Sequence, residues 1–124
     1  MDVKTAQTVT VLVVEDEPLI RIGAVDLVED LGFETIEASS ADEAIAILEE
    51  RSDIRIVFTD IHMAGSMDGL ELAAYVRDRW PPIIFIVVSG ERKPTASEMP
   101  EGAYFFAKPY DASEVSKALV ALAA

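Results

Sequence analysis

Hydrophobic residues in this chain fall in short, dense runs, and the stretches between the runs carry helical spacing. Residues 9–15 are almost continuously apolar and rich in valine, which predicts a strand buried on both faces. Over residues 18–31 the spacing lengthens to that of a helix, with Ile20, Ala24, Leu27, Val28 and Leu31 on one stripe. Pro18 suits the first turn of that helix and Gly32 its C-terminal cap. Residues 33–38, FETIEA, alternate and predict a short, less buried second strand. Ser40 with Glu43 reads as a capping box, opening a helix with Ala41, Ala44, Ile45 and Leu48 on its apolar stripe. A third strand is predicted over 54–59, followed by the loop HMAGSMDG. Asp68 with Glu71 caps the next helix, whose stripe is Leu72, Ala73, Val76 and Trp80, and Pro81 and Pro82 stop it. Strands follow over 83–88 and 103–107, and Asp111 with Glu114 opens a last helix carrying Val115, Ala118, Leu119 and Leu122. Between those two strands, residues 90–102 (GERKPTASEMPEG) hold two prolines and few large apolar side chains, leaving room for a short helical turn at most.

Strands alternating with helices at short spacing imply right-handed β-α-β units and a doubly wound, parallel α/β sheet. With 124 residues there is room for one domain, read as a flexible tail over 1–8 and a folded unit over 9–124. Ligands of such sheets sit beyond the carboxyl ends of the strands.

Composition narrows the function. Hydrophobic residues make up 51% of the chain, enough for a full core. The net charge of −13 argues against nucleic-acid backbones and anionic membranes as direct partners. Without cysteine there is no disulfide framework, thiolate chemistry or Cys-based metal site. No apolar run approaches the ~18 residues of a membrane span, and the polar start MDVKTAQT lacks a signal-peptide core, so a cytoplasmic location is expected.

The chemistry lies at the strand ends. Glu15 and Asp16 close the first run, Asp60 the third, Ser89 the fourth and Lys108 the fifth. A parallel sheet brings these ends to one edge, where carboxylates, a hydroxyl and an ammonium would meet. Asp16 alone could serve as a helix cap. Two adjacent acids followed by Glu17 repel one another unless a cation is present. Mg²⁺, which takes few carboxylates together with waters and phosphate oxygens, suits them. A carboxylate such as Asp60 is a competent nucleophile toward a phosphoryl group. Ser89 and Lys108 could donate to its oxygens, although Ser89-Gly90 alone could be a turn. Lys108-Pro109 is a candidate cis peptide.

In this order, the motifs VLVVEDEP, FTDIHM with MDGLELA, VVSGE and FFAKPY resemble the receiver domain of two-component response regulators, over about residues 9–122. The resemblance implies a flavodoxin-like five-stranded sheet of order 2-1-3-4-5. It implies that Asp60 accepts a phosphoryl group from a histidine kinase or histidine phosphotransferase. Mg²⁺ would be held by Glu15, Asp16, Asp60 and the backbone carbonyl of His62, while Ser89 and Lys108 would grip the phosphoryl oxygens. Ser89 and Phe105 match the family's switch positions, and His62 and Glu91 the positions that tune phosphoryl lifetime. A half-buried structural aromatic is the plainer reading of Phe105, and an exposed loop residue that of His62. The expected partners are a kinase and a downstream protein, with a homodimer possible. The expected role is a signalling module that catalyses only its own phosphorylation and dephosphorylation. The terminal ALVALAA reads as a natural helix end, as in stand-alone regulators.

Two departures stand out. Met63 is followed by Ala64-Gly65-Ser66 in place of the usual proline, in a loop one residue longer than common. The helix expected between the fourth and fifth strands is short or irregular, which weakens any transfer of the family's dimer mode. Other function classes fit less well. A hydrolase using an aspartyl-phosphate usually has a second acid where His62 stands, and a nucleotide binder needs a Gly- or Ser/Thr-rich loop where EDEP stands. A receiver-like module that binds partners without phosphorylation is the alternative function.

Overall fold

Five parallel strands pair in the order β2-β1-β3-β4-β5 in the structure, a computed structural model that describes residues 9–63, 65–91 and 93–123. The strands are β1 (Thr10–Val14), β2 (Glu34–Ala38), β3 (Ile54–Asp60), β4 (Ile84–Ser89) and β5 (Tyr104–Ala107). The helices are α1 (Pro18–Asp30), α2 (Ala41–Glu50), α3 (Gly69–Arg79) and α4 (Ala112–Ala123). The N-terminal tail over 1–8, Ala64 and Arg92 lie outside the described residues.

Side chains alternate across the sheet and divide the core into two layers. Leu12, Val14, Val57, Phe85 and Val87 pack under α2 and α3 on one face. Val11, Val13, Ile56, Phe58, Ile86 and Val88 pack under α1 and α4 on the other. All five residues of β1 are buried, because it is covered on both faces and paired on both edges. Each fully buried Leu or Ile contributes roughly 1.5–3 kcal/mol relative to exposure, so this sandwich is what fixes the positions of the strand ends. As its mixed sequence predicts, β2 is a half-exposed edge strand.

Several local expectations need correction. Ile20 is not on the buried stripe of α1: it is exposed beside Leu19 and Ile22, and Ala24, Val25 and Val28 face the sheet instead. Helix α1 starts too close to the end of β1 for its first turn to reach the core. Its cap is Glu17, whose carboxylate accepts from the Leu19 N–H at 3.0 Å, so Asp16 is released from that duty. At α2 the Ser40 hydroxyl accepts from the Glu43 N–H at 3.1 Å, but the Glu43 carboxylate reaches one residue further back, to the Ser39 N–H and hydroxyl. The full reciprocal box forms at α3 between Asp68 and Glu71. Trp80, half-buried at the C-cap of α3, packs against the same core as Leu72, Ala73 and Val76, as its stripe predicts. Gly32 takes φ +93° after α1, the left-handed conformation its capping position requires. Among the described residues between β4 and β5, the helical structure is a three-residue 3₁₀ turn, Ala96–Glu98, in line with the two prolines there.

Candidate functional site

Backbone pairing continues just past the strands and delivers the polar side chains to one edge. The Glu15 N–H donates to the Ala38 carbonyl at 3.0 Å and the Lys108 N–H to the Ser89 carbonyl at 2.9 Å. Asp60 is the last residue of β3, in register with Val88, and Ser89 is the last of β4. Glu15, Asp60 and Ser89 are buried, with 4%, 7% and 2% of their surface exposed; Asp16 is half-buried.

One carboxylate oxygen from each of Glu15, Asp16 and Asp60 lies within 4.8 Å of the others. The Lys108 ammonium sits 3.3 Å from both Glu15 Oε1 and Asp60 Oδ2. The Lys108-Pro109 peptide is cis. Glu15 and Asp60 therefore share this ammonium. Burial is the main cause that pushes the Glu15 carboxyl above the usual carboxylate range. The Glu17 N–H bonded to it pulls it back, the Asp60 charge pushes it further up, and Lys108 lowers it. For Lys108, burial alone would lower the ammonium, but the Asp60 and Glu15 charges outweigh burial and hold it above its ordinary value. The donor set is all oxygen, with no thiolate, and the only histidine turns its ring to Glu91, with Nε2 at 3.6 Å from Oε1. A hard divalent cation fits such a set better than a soft one.

The phosphoacceptor candidate is clamped from behind. The Thr59 hydroxyl donates to the Asp60 carbonyl at 2.9 Å, and the Gly69 N–H donates to the Ile61 carbonyl at 2.8 Å. A Cβ on Gly69 would lie 2.0 Å from the Asp60 carbonyl oxygen. The altered loop before it is tied to α2 by the Ser66 hydroxyl, which donates to Asp42 Oδ1 at 2.8 Å.

Ser89 accepts the Glu91 N–H at 3.2 Å. Phe105 pairs with Val87 across β4 and β5, and Ala107 pairs with Ser89, so Ser89 and Phe105 share one face of the sheet. Phe105 is half-buried and borders a cavity of about 420 Å³ formed with Pro94, Met99 and Ala103, between β4 and β5. A second cavity, of about 430 Å³ and lined by Leu48, Arg55, Trp80 and Ile83, lies at the opposite edge of the sheet, away from the carboxylates.

The structure thus brings together Glu15, Asp16, Asp60 and Lys108, places Ser89 at the adjacent strand end, and sets His62 and Glu91 on the exposed rim. Sequence reasoning missed Gly69 and Arg21. Gly69 was read as loop, although Asp-Gly before a helix permits close backbone approach. Arg21 had a visible signal: it is the sole Lys or Arg among residues 9–50, where twelve acids stand.

Residues 11–120 match the response regulator receiver domain. The phyllosphere-induced regulator PhyR of Methylorubrum extorquens is 36% identical over 108 residues, which cover 86% of this chain and 40% of that protein. The sensor kinase CckA of Brucella abortus is 37% identical over 111 residues, covering 86% of this chain and 12% of that protein. The chain spans less than half the length of either relative. A response regulator receiver protein from Sinorhizobium medicae superposes with a TM-score of 0.88 at 26% identity, covering 95% of this chain and 96% of that one.

Proposed function

This chain belongs to the family of response regulator receiver domains, the signalling modules of two-component systems, and we propose that Asp60 is its phosphoacceptor. One Asp60 carboxylate oxygen attacks the phosphorus of a phosphohistidine on a kinase or phosphotransferase. The new P–O bond forms as the P–N bond breaks, and the bonding pair leaves with the imidazole. The observation that carries this reading is the placement of Lys108, 3.3 Å from both Asp60 and Glu15 in a cluster of buried carboxylates. Its ammonium is positioned to meet charge on an incoming phosphoryl group, and such transfer is mostly positioning plus electrostatics.

Glu15, Asp16 and Asp60, with the His62 backbone carbonyl, would hold Mg²⁺, which when bound would supply positive charge beside the three grouped carboxylates. The Ser89 hydroxyl and the Lys108 ammonium donate to phosphoryl oxygens. Withdrawing Ser89 toward the phosphoryl group frees space on the face it shares with Phe105, whose neighbouring cavity lets the ring turn. That is a two-state element biased by a local charge change. Leu19, Ile20 and Ile22, exposed at the start of α1 beside the carboxylates, supply an apolar contact for a docking protein. Among the described residues no helix is long and apolar enough to cross a membrane.

The test is intact-mass spectrometry after incubation with acetyl phosphate and Mg²⁺. One added phosphoryl group is expected, absent in Asp60→Asn and in EDTA. A gain that survives Asp60→Asn overturns the assignment, as does the absence of both a gain and fluoroberyllate binding in the wild type.

His62 and Glu91 bridge the rim at 3.6 Å and are proposed to set phosphoryl lifetime by controlling the approach of water. His62→Ala and Glu91→Ala are each expected to change the dephosphorylation rate severalfold while leaving the extent of initial labelling unchanged. Rates equal to wild type in both variants remove this role.

A further inference from the structure

Arg21 takes no part in the steps above, yet it touches the site's backbone. It stands on the first turns of α1, with its side chain 21% exposed. Its guanidinium forks: Nη1 donates to the Glu15 carbonyl at 2.9 Å, and Nε donates to Glu37 Oε1 at 3.1 Å. One side chain therefore joins the end of β1 to β2. The Glu15 carbonyl belongs to the peptide that links Glu15 to Asp16, so holding its plane sets the directions in which both side chains leave the backbone. The turn is closed a second time by the Glu17 N–H, which donates to Glu15 Oε2 at 3.1 Å.

We propose that Arg21 is a positioning residue for the cation site: its fork fixes the Glu15–Asp16 peptide so that both carboxylates face Asp60. This rests on reading the carboxylate cluster as a Mg²⁺ site. Two effects of Arg21 on that site have opposite signs. Its charge, acting through space, disfavours a second cation nearby. Its hydrogen bond organises the ligands, and Mg²⁺ demands near-ideal octahedral geometry. Removing Arg21 therefore tightens metal binding if charge dominates and weakens it if positioning dominates. Groups that orient metal ligands typically contribute 10–100-fold in affinity, and the Arg21 charge is already paired with Glu37, so positioning is expected to prevail.

The experiment compares the wild type with Arg21→Ala, Arg21→Lys and Glu37→Gln in three measurements on the full chain. These are Mg²⁺ affinity by calorimetric titration, melting temperature without metal, and NMR hydrogen exchange of the Glu17 amide without metal. Arg21→Ala is expected to weaken Mg²⁺ binding roughly tenfold and to speed exchange at Glu17. Arg21→Lys keeps the charge but loses the rigid fork, so it is expected to follow Arg21→Ala rather than rescue it. Glu37→Gln, which loosens one tine, is expected to fall between Arg21→Ala and wild type. Equal or tighter Mg²⁺ binding in Arg21→Ala, with Glu17 exchange unchanged, overturns the proposal, and so does a lower melting temperature with no change in affinity. A wild type that binds no Mg²⁺ overturns the metal reading itself. In that case the metal-free exchange at Glu17 still decides whether Arg21 fixes the turn.

Discussion

Gly69→Ala is expected to destabilise the domain by roughly 3 kcal/mol or more, lowering its melting temperature by about 10 °C or more. Helix propensity argues the other way: at the first position of α3, alanine should gain up to about 1 kcal/mol over glycine. The added Cβ, however, would stand 2.0 Å from the Asp60 carbonyl oxygen and 2.9 Å from its carbonyl carbon. Those are backbone atoms of a buried strand, paired on both sides and held by Thr59, so nothing flexible can give way. The overlap wins, and any relief displaces Asp60, whose carboxylate is the proposed phosphoacceptor. Gly69→Ala protein that still folds should therefore label poorly with acetyl phosphate. Gly23 provides the contrast, since a Cβ there meets nothing within 4 Å on the exposed face of α1. Gly23→Ala is expected to stabilise by about 0.5–1 kcal/mol. Thermal unfolding followed by circular dichroism reads both; a Gly69→Ala protein that melts at or above the wild type would show that β3 and α3 can part freely.

Lys108→Ala is expected to separate metal binding from phosphoryl transfer. Losing the ammonium removes repulsion toward a cation, so Mg²⁺ affinity should hold or rise, while labelling falls by about 100-fold, the loss typical of a removed electrostatic stabiliser. The metal-free variant should also be less stable. Breaking a fully buried pair costs about 3–5 kcal/mol, and because the Lys108 side chain is 21% exposed screening reduces this to roughly 2 kcal/mol. The cost depends on pH with a definite sign. The folded Glu15 carboxyl titrates above its ordinary 4.5, so its stabilising contribution is complete below 4.5 and lost as pH rises through the raised folded value. Without Lys108 to lower it, that value climbs further and the loss grows. The gap between variant and wild type should thus be small at pH 4.5 and open toward neutrality. The Lys108 contribution is present below its ordinary 10.5 and lost as pH rises through its raised folded value, which closes the gap again. Urea unfolding without metal across this range checks it; a gap equal at pH 4.5 and at neutral pH, or a fall in Mg²⁺ affinity, defeats the account.

Most of the fold was legible because its signals are local. Continuous valine and isoleucine runs mark strands covered on both faces, and the prolines in RKPTASEMP announce the missing helix. The strand-end acids and Lys108 were legible because a parallel sheet turns sequence order into spatial convergence. What stayed hidden depends on distances between elements. Nothing local distinguishes Asp16 from Glu17 as the cap of α1, and only the observed hydrogen bond from Leu19 decides it. Ile20 has the right spacing for the core, but it stands in the first turn of α1, which starts too close to the end of β1 to arrive there. The fork of Arg21 and the near-contact of Gly69 join residues whose proximity no period encodes.

The strand order also says something about assembly. After β3, each new strand adds beside the one that precedes it in the chain, so the sheet can grow at one margin in the order of synthesis. Asp60 is in place once β3 has joined, but Lys108 follows β5, the last strand. If the strands join in that order, Glu15 and Asp60 meet before the lysine that pairs with both. The strand that closes the sheet is therefore also the one that carries the ammonium shared by Glu15 and Asp60.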